Sequence, residues 1–151
     1  MARGDLTVFE EAKATIIKGG WEPADEIWIG IVTNVCLVDD PEPGYGAFGT
    51  TQYTPIATAG TYAAGGLLLD TLGDLVTEAA GVMKFDTNGG SDNEFPTWML
   101  NGANPQNGDH AVIYHKTSGL CIAMIDLDGP IDMQASTLMI TFHGSGIFTI
   151  T

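Results

Sequence analysis

Residues 27–38 read Ile-Trp-Ile-Gly-Ile-Val-Thr-Asn-Val-Cys-Leu-Val, the most β-prone run in the chain. Branched and aromatic side chains suit a pleated surface and lose rotamer freedom in a helix. The run therefore predicts a buried strand, bent at Gly30 where the side chain is missing. It ends in Asp39-Asp40-Pro41-Glu42-Pro43-Gly44, an acidic, proline-rich stretch that forbids regular structure and belongs in an exposed loop.

Working downstream, short apolar runs recur between turn signals. Strands are expected at 67–71, 81–86, 97–100, 110–115, 120–126, 138–142 and 147–150. Lys116-Thr117-Ser118-Gly119 joins two of them at hairpin distance, and Tyr62-Ala63-Ala64-Gly65-Gly66 predicts a tight turn before residue 67. His143-Gly144-Ser145-Gly146 predicts a turn or a glycine bulge.

Upstream the period changes. Phe9, Ala12, Ile16 and Ile17 recur at helical spacing, Thr7 and Glu10 form a capping-box pattern with Asp5 as a rival cap, and Gly19-Gly20 supplies the stop. One helix is expected over residues 7–18. The whole predicts a mainly β protein: a single antiparallel, jelly-roll-like β-sandwich of about eight strands over residues 21–151, preceded by an N-terminal arm and helix over residues 1–20. No repeat or linker divides it.

The chain has 151 residues, with 5 basic and 19 acidic side chains and a net charge of -14. Such a surface repels phosphates and anionic lipid, so neither nucleic acid nor membrane is an expected partner. No apolar run approaches the roughly 20 residues that span a bilayer. No secretory signal is read at the N-terminus, and the protein is expected to stay in a cytoplasm or a particle assembled there.

Chemistry-bearing patterns are weak. His110 and His115 sit five apart on one expected strand, hence on opposite faces, and are read with His143 as strand-end or surface residues. Gly144-Ser145-Gly146 lacks the outer glycines of a nucleophile elbow. Residues 86–94 carry oxygen donors around glycines, as calcium loops do, but Gly90 stands where an EF-hand needs Asp or Asn. Cys36 and Cys121 lie in apolar runs without zinc spacing and read as buried thiols, with a disulfide as the lesser reading. Arg3-Gly4-Asp5 spells an integrin tripeptide, a match that chance supplies often. Trp28 reads as core and Trp98 as half-buried, with a carbohydrate platform around Trp98 as a minor reading. No cofactor, no metal and no enzymatic activity are expected.

Several segments resemble, in order, a family of small virion proteins of tailed bacteriophages. They are Phe9-Glu10-Glu11-Ala12-Lys13 with Gly20-Trp21, residues 27–34, Gly60-Thr61-Tyr62-Ala63-Ala64-Gly65-Gly66, Ala111-Val112-Ile113-Tyr114, and Ile140-Thr141-Phe142 with Ser145-Gly146-Ile147-Phe148-Thr149. The likeness covers nearly the whole chain, and the 39–43 loop departs from it by its length. It implies a head decoration (cement) protein on the outside of an HK97-type capsid. The implied partners are the major capsid protein and further copies of the chain, a trimer being favoured. A tail or neck component, or a glycan- or receptor-binding module on the virion surface, is the alternative. Because basic residues are scarce, capsid attachment is expected through segment 1–20, at Arg3, Phe9, Lys13, Ile16 and Lys18, together with the terminal strand region.

Overall fold

The computed structural model describes residues 4–33, 48–49, 53–87, 95–143 and 146–150. The 39–44 loop, Cys36, Arg3, residues 88–94 and Gly144-Ser145 lie outside the described residues.

Ten strands and two helices are formed among the described residues. In chain order they are β1 (Leu6–Val8), α1 (Glu10–Ile17), β2 (Glu26–Val32), β3 (Leu67–Thr71), α2 (Leu72–Leu75), β4 (Val76–Ala79), β5 (Val82–Phe85), β6 (Thr97–Trp98), β7 (Gly108–His115), β8 (Cys121–Ile131), β9 (Leu138–Met139) and β10 (Phe148–Ile150). A five-stranded sheet runs β1-β8-β7-β2-β3, a three-stranded sheet β10-β5-β4, and β6 and β9 form a two-stranded ribbon. Every pairing is antiparallel. The protein is thus mainly β and antiparallel, as expected, but its strands lie in three sheets.

Every strand anticipated in the described residues is present, most of them shifted or trimmed at the ends. The opening helix is shorter than its periodicity predicts, because residues 6–8 are taken by the sheet. β1 pairs with Ala123–Ile125 of β8 as an edge strand. Phe9 is extended at the helix N-cap, makes no side-chain cap bond, and buries its ring edge-on against Tyr53. Strand pairing and core burial outweigh the Thr7–Glu10 capping box, whose contribution is only about 1 kcal/mol. The helix stop is as expected. Gly20 N–H donates to the Thr15 carbonyl and Gly19 N–H to the Ile16 carbonyl, with Gly19 left-handed at φ 66°. That is a Schellman closure. β4 and α2 carry weak local signals and were not anticipated. They form because Leu72 and Leu75 enter the core and β4 pairs along β5.

β2 lies at the heart of the main sheet. Ile27, Ile29 and Ile31 share one face with Ala111 and Ile113 of β7, while Val32 and Val112 face the other way. All of these are buried, so the sheet is covered on both faces. The bend expected at Gly30 is a close approach: a Cβ there would meet the Phe48 ring at 2.5 Å, and Phe48 stacks on Tyr114 at 4.1 Å.

β3 pairs with β2 only as far as Ile29. Beyond that point residues 54–56 and Tyr62 share the edge, with Val32 bridged to Pro55 and Ile56 N–H donating to the Ile31 carbonyl. Ile31 N–H donates to the Tyr62 hydroxyl at 2.9 Å, and the hydroxyl donates to the Ile31 carbonyl at 3.3 Å. Burial pushes the Tyr62 phenol well above its ordinary pKa, so it stays a donor. Gly66 closes the same turn at φ 81°, where a side chain would overlap the Ile29 carbonyl oxygen. The Tyr-x-x-Gly-Gly turn is therefore a lock on the main sheet.

Candidate functional site

The residues expected to attach to a partner separate in space. Arg3 lies outside the described residues. Phe9 is 3% exposed and serves the core. Lys13 and Ile16 are half-buried, with Ile16 packed against the core, and Lys18 is exposed at the helix end. Ile17, which the periodicity put on the inward face, is 59% exposed. It lines an open groove with Ala79 of β4, Ala80 of the β4–β5 turn, Val82 and Met83 of β5, and Ile150 of β10. The helix end thus offers an apolar contact beside one exposed lysine. Segment 1–20 is not detachable, since β1 and Phe9 belong to the main sheet and core.

The two strand histidines are on opposite faces, as their spacing requires, but both are buried rather than superficial. Each lies against carboxylates, with His110 Nδ1 and His115 Nε2 both outside hydrogen-bond alignment. His110 Nδ1 lies 2.8 Å from Asp109 Oδ2, and its Nε2 lies 3.9 Å from Asp126 Oδ1. His115 closes the β7–β8 hairpin. Ser118 N–H donates to Nδ1 at 3.1 Å, which assigns the proton of the neutral ring to Nε2. Nε2 lies 3.0 Å from Asp25 Oδ2. The contact is close but outside hydrogen-bond alignment. The Asp25 carboxyl is held below its ordinary pKa by the Glu22 backbone N–H and by His115.

Ser118 Oγ sits 2.7 Å from the same Nδ1 and accepts the Leu120 N–H at 3.2 Å. Asp25, His115 and Ser118 thus have the composition of a hydrolytic triad. One imidazole lone pair is shared by the Ser118 amide and hydroxyl, the hydroxyl oxygen is engaged by Leu120, and Trp21 stacks over the ring at 4.6 Å. The set clamps a hairpin turn. No sequence motif joins these three residues; only the β7–β8 turn and the approach of residues 21–25 bring them together.

No group of three or more His, Cys, Asp or Glu that could hold a metal occurs among the described residues. Of the 86–94 loop, Asp86 is seen paired with Lys84, and Asn88 onward lies outside the described residues. Cys121 is buried at the start of β8. The two tryptophans exchange their expected places. Trp98 is 4% exposed beside Tyr62, which removes the aromatic platform imagined around it. Trp28 is half-buried, donates to Glu26 Oε2, and is covered by the Lys116 ammonium at 3.8 Å. No described helix is long and apolar enough to cross a membrane.

A second exposed apolar region lies on the β6–β9 ribbon. Trp98 faces Leu138 inward, and Thr97 faces Met139 outward. Phe95, Met99, Leu100 and Met139 are all exposed there, Met99 at 64% and Met139 at 59%. Asn104, 1% exposed, fastens the region from below. Its side-chain N–H groups donate to the Met99 and Met133 carbonyls, and its Oδ1 accepts from the Thr61 amide and hydroxyl. Leu100 N–H donates to the Thr137 hydroxyl. Sequence reasoning missed this face. A signal was present: no Asp, Glu, Lys or Arg occurs from Phe95 to Gly108, nor after Asp132.

No protein-family model matches the chain, and no curated protein or solved structure is significantly similar to it.

Proposed function

We propose that this protein is a structural component of a tailed-phage virion that binds the outside of an HK97-type capsid and stabilises the shell. In this reading the five- and three-stranded sheets serve as the layers of a jelly-roll-like sandwich, and the protein joins the particle in the bacterial cytoplasm. The carrying observation is a locked β body in a chain of charge -14 whose large exposed apolar side chains, among the described residues, are Ile17 at the α1 groove and four on and beside the β6–β9 ribbon. A decoration protein needs a firm body, a soluble outer surface and an apolar contact. The resemblance in motif order adds support, and its Tyr62–Gly66 element is a structural lock, as befits a family defined by strand cores and turns.

The mechanism is mass action. A partner that binds only the assembled shell stabilises it by about 2.7 kcal/mol per site at a hundred times its Kd. Many copies across subunit seams would sum this against internal pressure. The α1 end is the attachment face of choice, with Ile17 lining the groove and Lys18 exposed one residue on.

The test mixes purified protein with empty expanded capsids of its own phage, followed by pull-down and cryo-EM. Regular added density at capsomer seams is expected, and Ile17→Glu should weaken it without unfolding the protein. Absence of binding, with the protein recovered in purified tails, would move the assignment to a tail or neck component.

A further inference from the structure

The β6–β9 ribbon has clean two-sided character. Pro96, Trp98, Leu138 and Ile140 point into the core, while Phe95, Met99, Met139 and Thr141 point out. An outward face of a two-stranded ribbon is ordinarily polar. Here it is apolar at Phe95, Met99 and Met139, and Leu100 extends it. Phe95, Met99, Leu100 and Met139 stand 46%, 64%, 51% and 59% exposed, and gathered apolar side chains of this kind on a protein surface commonly mark an interaction site. Thr97, paired with Met139, and Thr137, whose hydroxyl accepts the Leu100 N–H, stand beside them as neutral polar residues. Methionine and phenylalanine at the centre with charge excluded is the composition of an interface core.

The charge pattern selects the occupant. The 24 charged side chains all lie outside 95–108 and 133–151, and β6–β9 pairing brings these two neutral stretches together. A basic partner would be captured by the acidic remainder of the surface. Two copies of this chain, each at -14, repel unless they meet where charge is lacking and turn their acidic surfaces away. The face is also preorganised, since Asn104 already fixes the backbone beneath it and little ordering cost remains.

We infer that the outward face of the β6–β9 ribbon is a self-association surface, on which a second copy of this chain docks neutral face to neutral face about a rotation axis. This goes beyond attachment to a shell and does not depend on it. Its signature is an unusual salt response: screening the mutual repulsion should tighten the association, whereas an interface held by ion pairs would loosen.

The experiment is sedimentation velocity of the full chain across the micromolar range at ~0.02 and ~0.3 M salt. Wild type should form a reversible dimer or trimer, tighter at the higher salt. Met139→Glu and Met99→Glu should each weaken it at least tenfold, with unchanged circular dichroism and melting temperature. Met139→Ser, which adds no charge, should weaken it in the same direction. Thr77→Glu, on exposed β4, controls for added charge and should leave it intact. A wild type monomeric throughout, association that loosens with salt, or equal loss in Thr77→Glu would overturn the inference.

Discussion

The main sheet and the β6–β9 ribbon are built from similarly apolar sequence and finish in opposite situations. Ala111-Val112-Ile113-Tyr114 of β7 is buried on both faces. Leu138-Met139-Ile140 is just as apolar, yet Met139 stands in solvent between two buried neighbours. The difference is the second layer. β7 lies between β8 and β2 and has cover above and below, including Phe48 over Tyr114. The ribbon has only two strands and one covered face. An apolar strand thus becomes core or contact surface according to what crosses it.

Substitutions can break that contrast, beginning where the sheet is tightest. Gly66→Ala places a side chain in left-handed backbone against the Ile29 carbonyl, and should destabilise by at least ~3 kcal/mol or prevent folding. Loss of a cooperative thermal transition would report it; a transition near the wild-type temperature would refute the lock. Ile113→Ala empties a fully buried site and should cost about 2–5 kcal/mol in urea denaturation, with an unchanged slope. Asn104→Ala leaves the Thr61 amide without its acceptor and removes the Asn104 donors from the Met99 and Met133 carbonyls. A loss of ~2 kcal/mol is expected, accompanied by faster hydrogen exchange at Thr61.

Neighbouring positions on the ribbon sharpen the comparison further. Leu138→Ala, on the inward face, should cost about 2 kcal/mol, while Met139→Ala should stay within about 0.5 kcal/mol. Equal effects would mean that Met139 is covered within one molecule. The smallest effect belongs to Asp132 beneath the ribbon. Hydrogen bonds from the Gln106 side chain and the Gln134 amide hold its carboxyl below the ordinary 3.8. Its contribution is therefore complete above that value and fades as pH falls through the lowered one. In Asp132→Asn, stability should fall less steeply than in wild type below about pH 4, and should match it in slope at neutral pH.

Much of the fold was legible in residues taken a few at a time. The strand at 27–32, the β7–β8 hairpin and the Gly19-Gly20 stop follow from side-chain branching and glycine conformation, which act over one or two turns of chain. β1 was hidden because Leu6-Thr7-Val8 reads equally well as the start of a helix, and only the free edge of β8 decides. Burial along the opening segment was legible in part. Lys18 is at the surface, but Phe9 satisfied a helical period and was claimed by Tyr53.

Period, turn chemistry and charge needed no partner to be read, and they settled an acidic, antiparallel, mainly β protein with a short opening helix. Depth and company were a different matter. That Trp98 is core and Trp28 is not, that His115 meets Asp25 and Ser118, and that two neutral stretches 37 positions apart at Leu100 and Thr137 share one face became fixed when distant segments met. Exposure is a property of what covers a residue, and cover is supplied from across the chain.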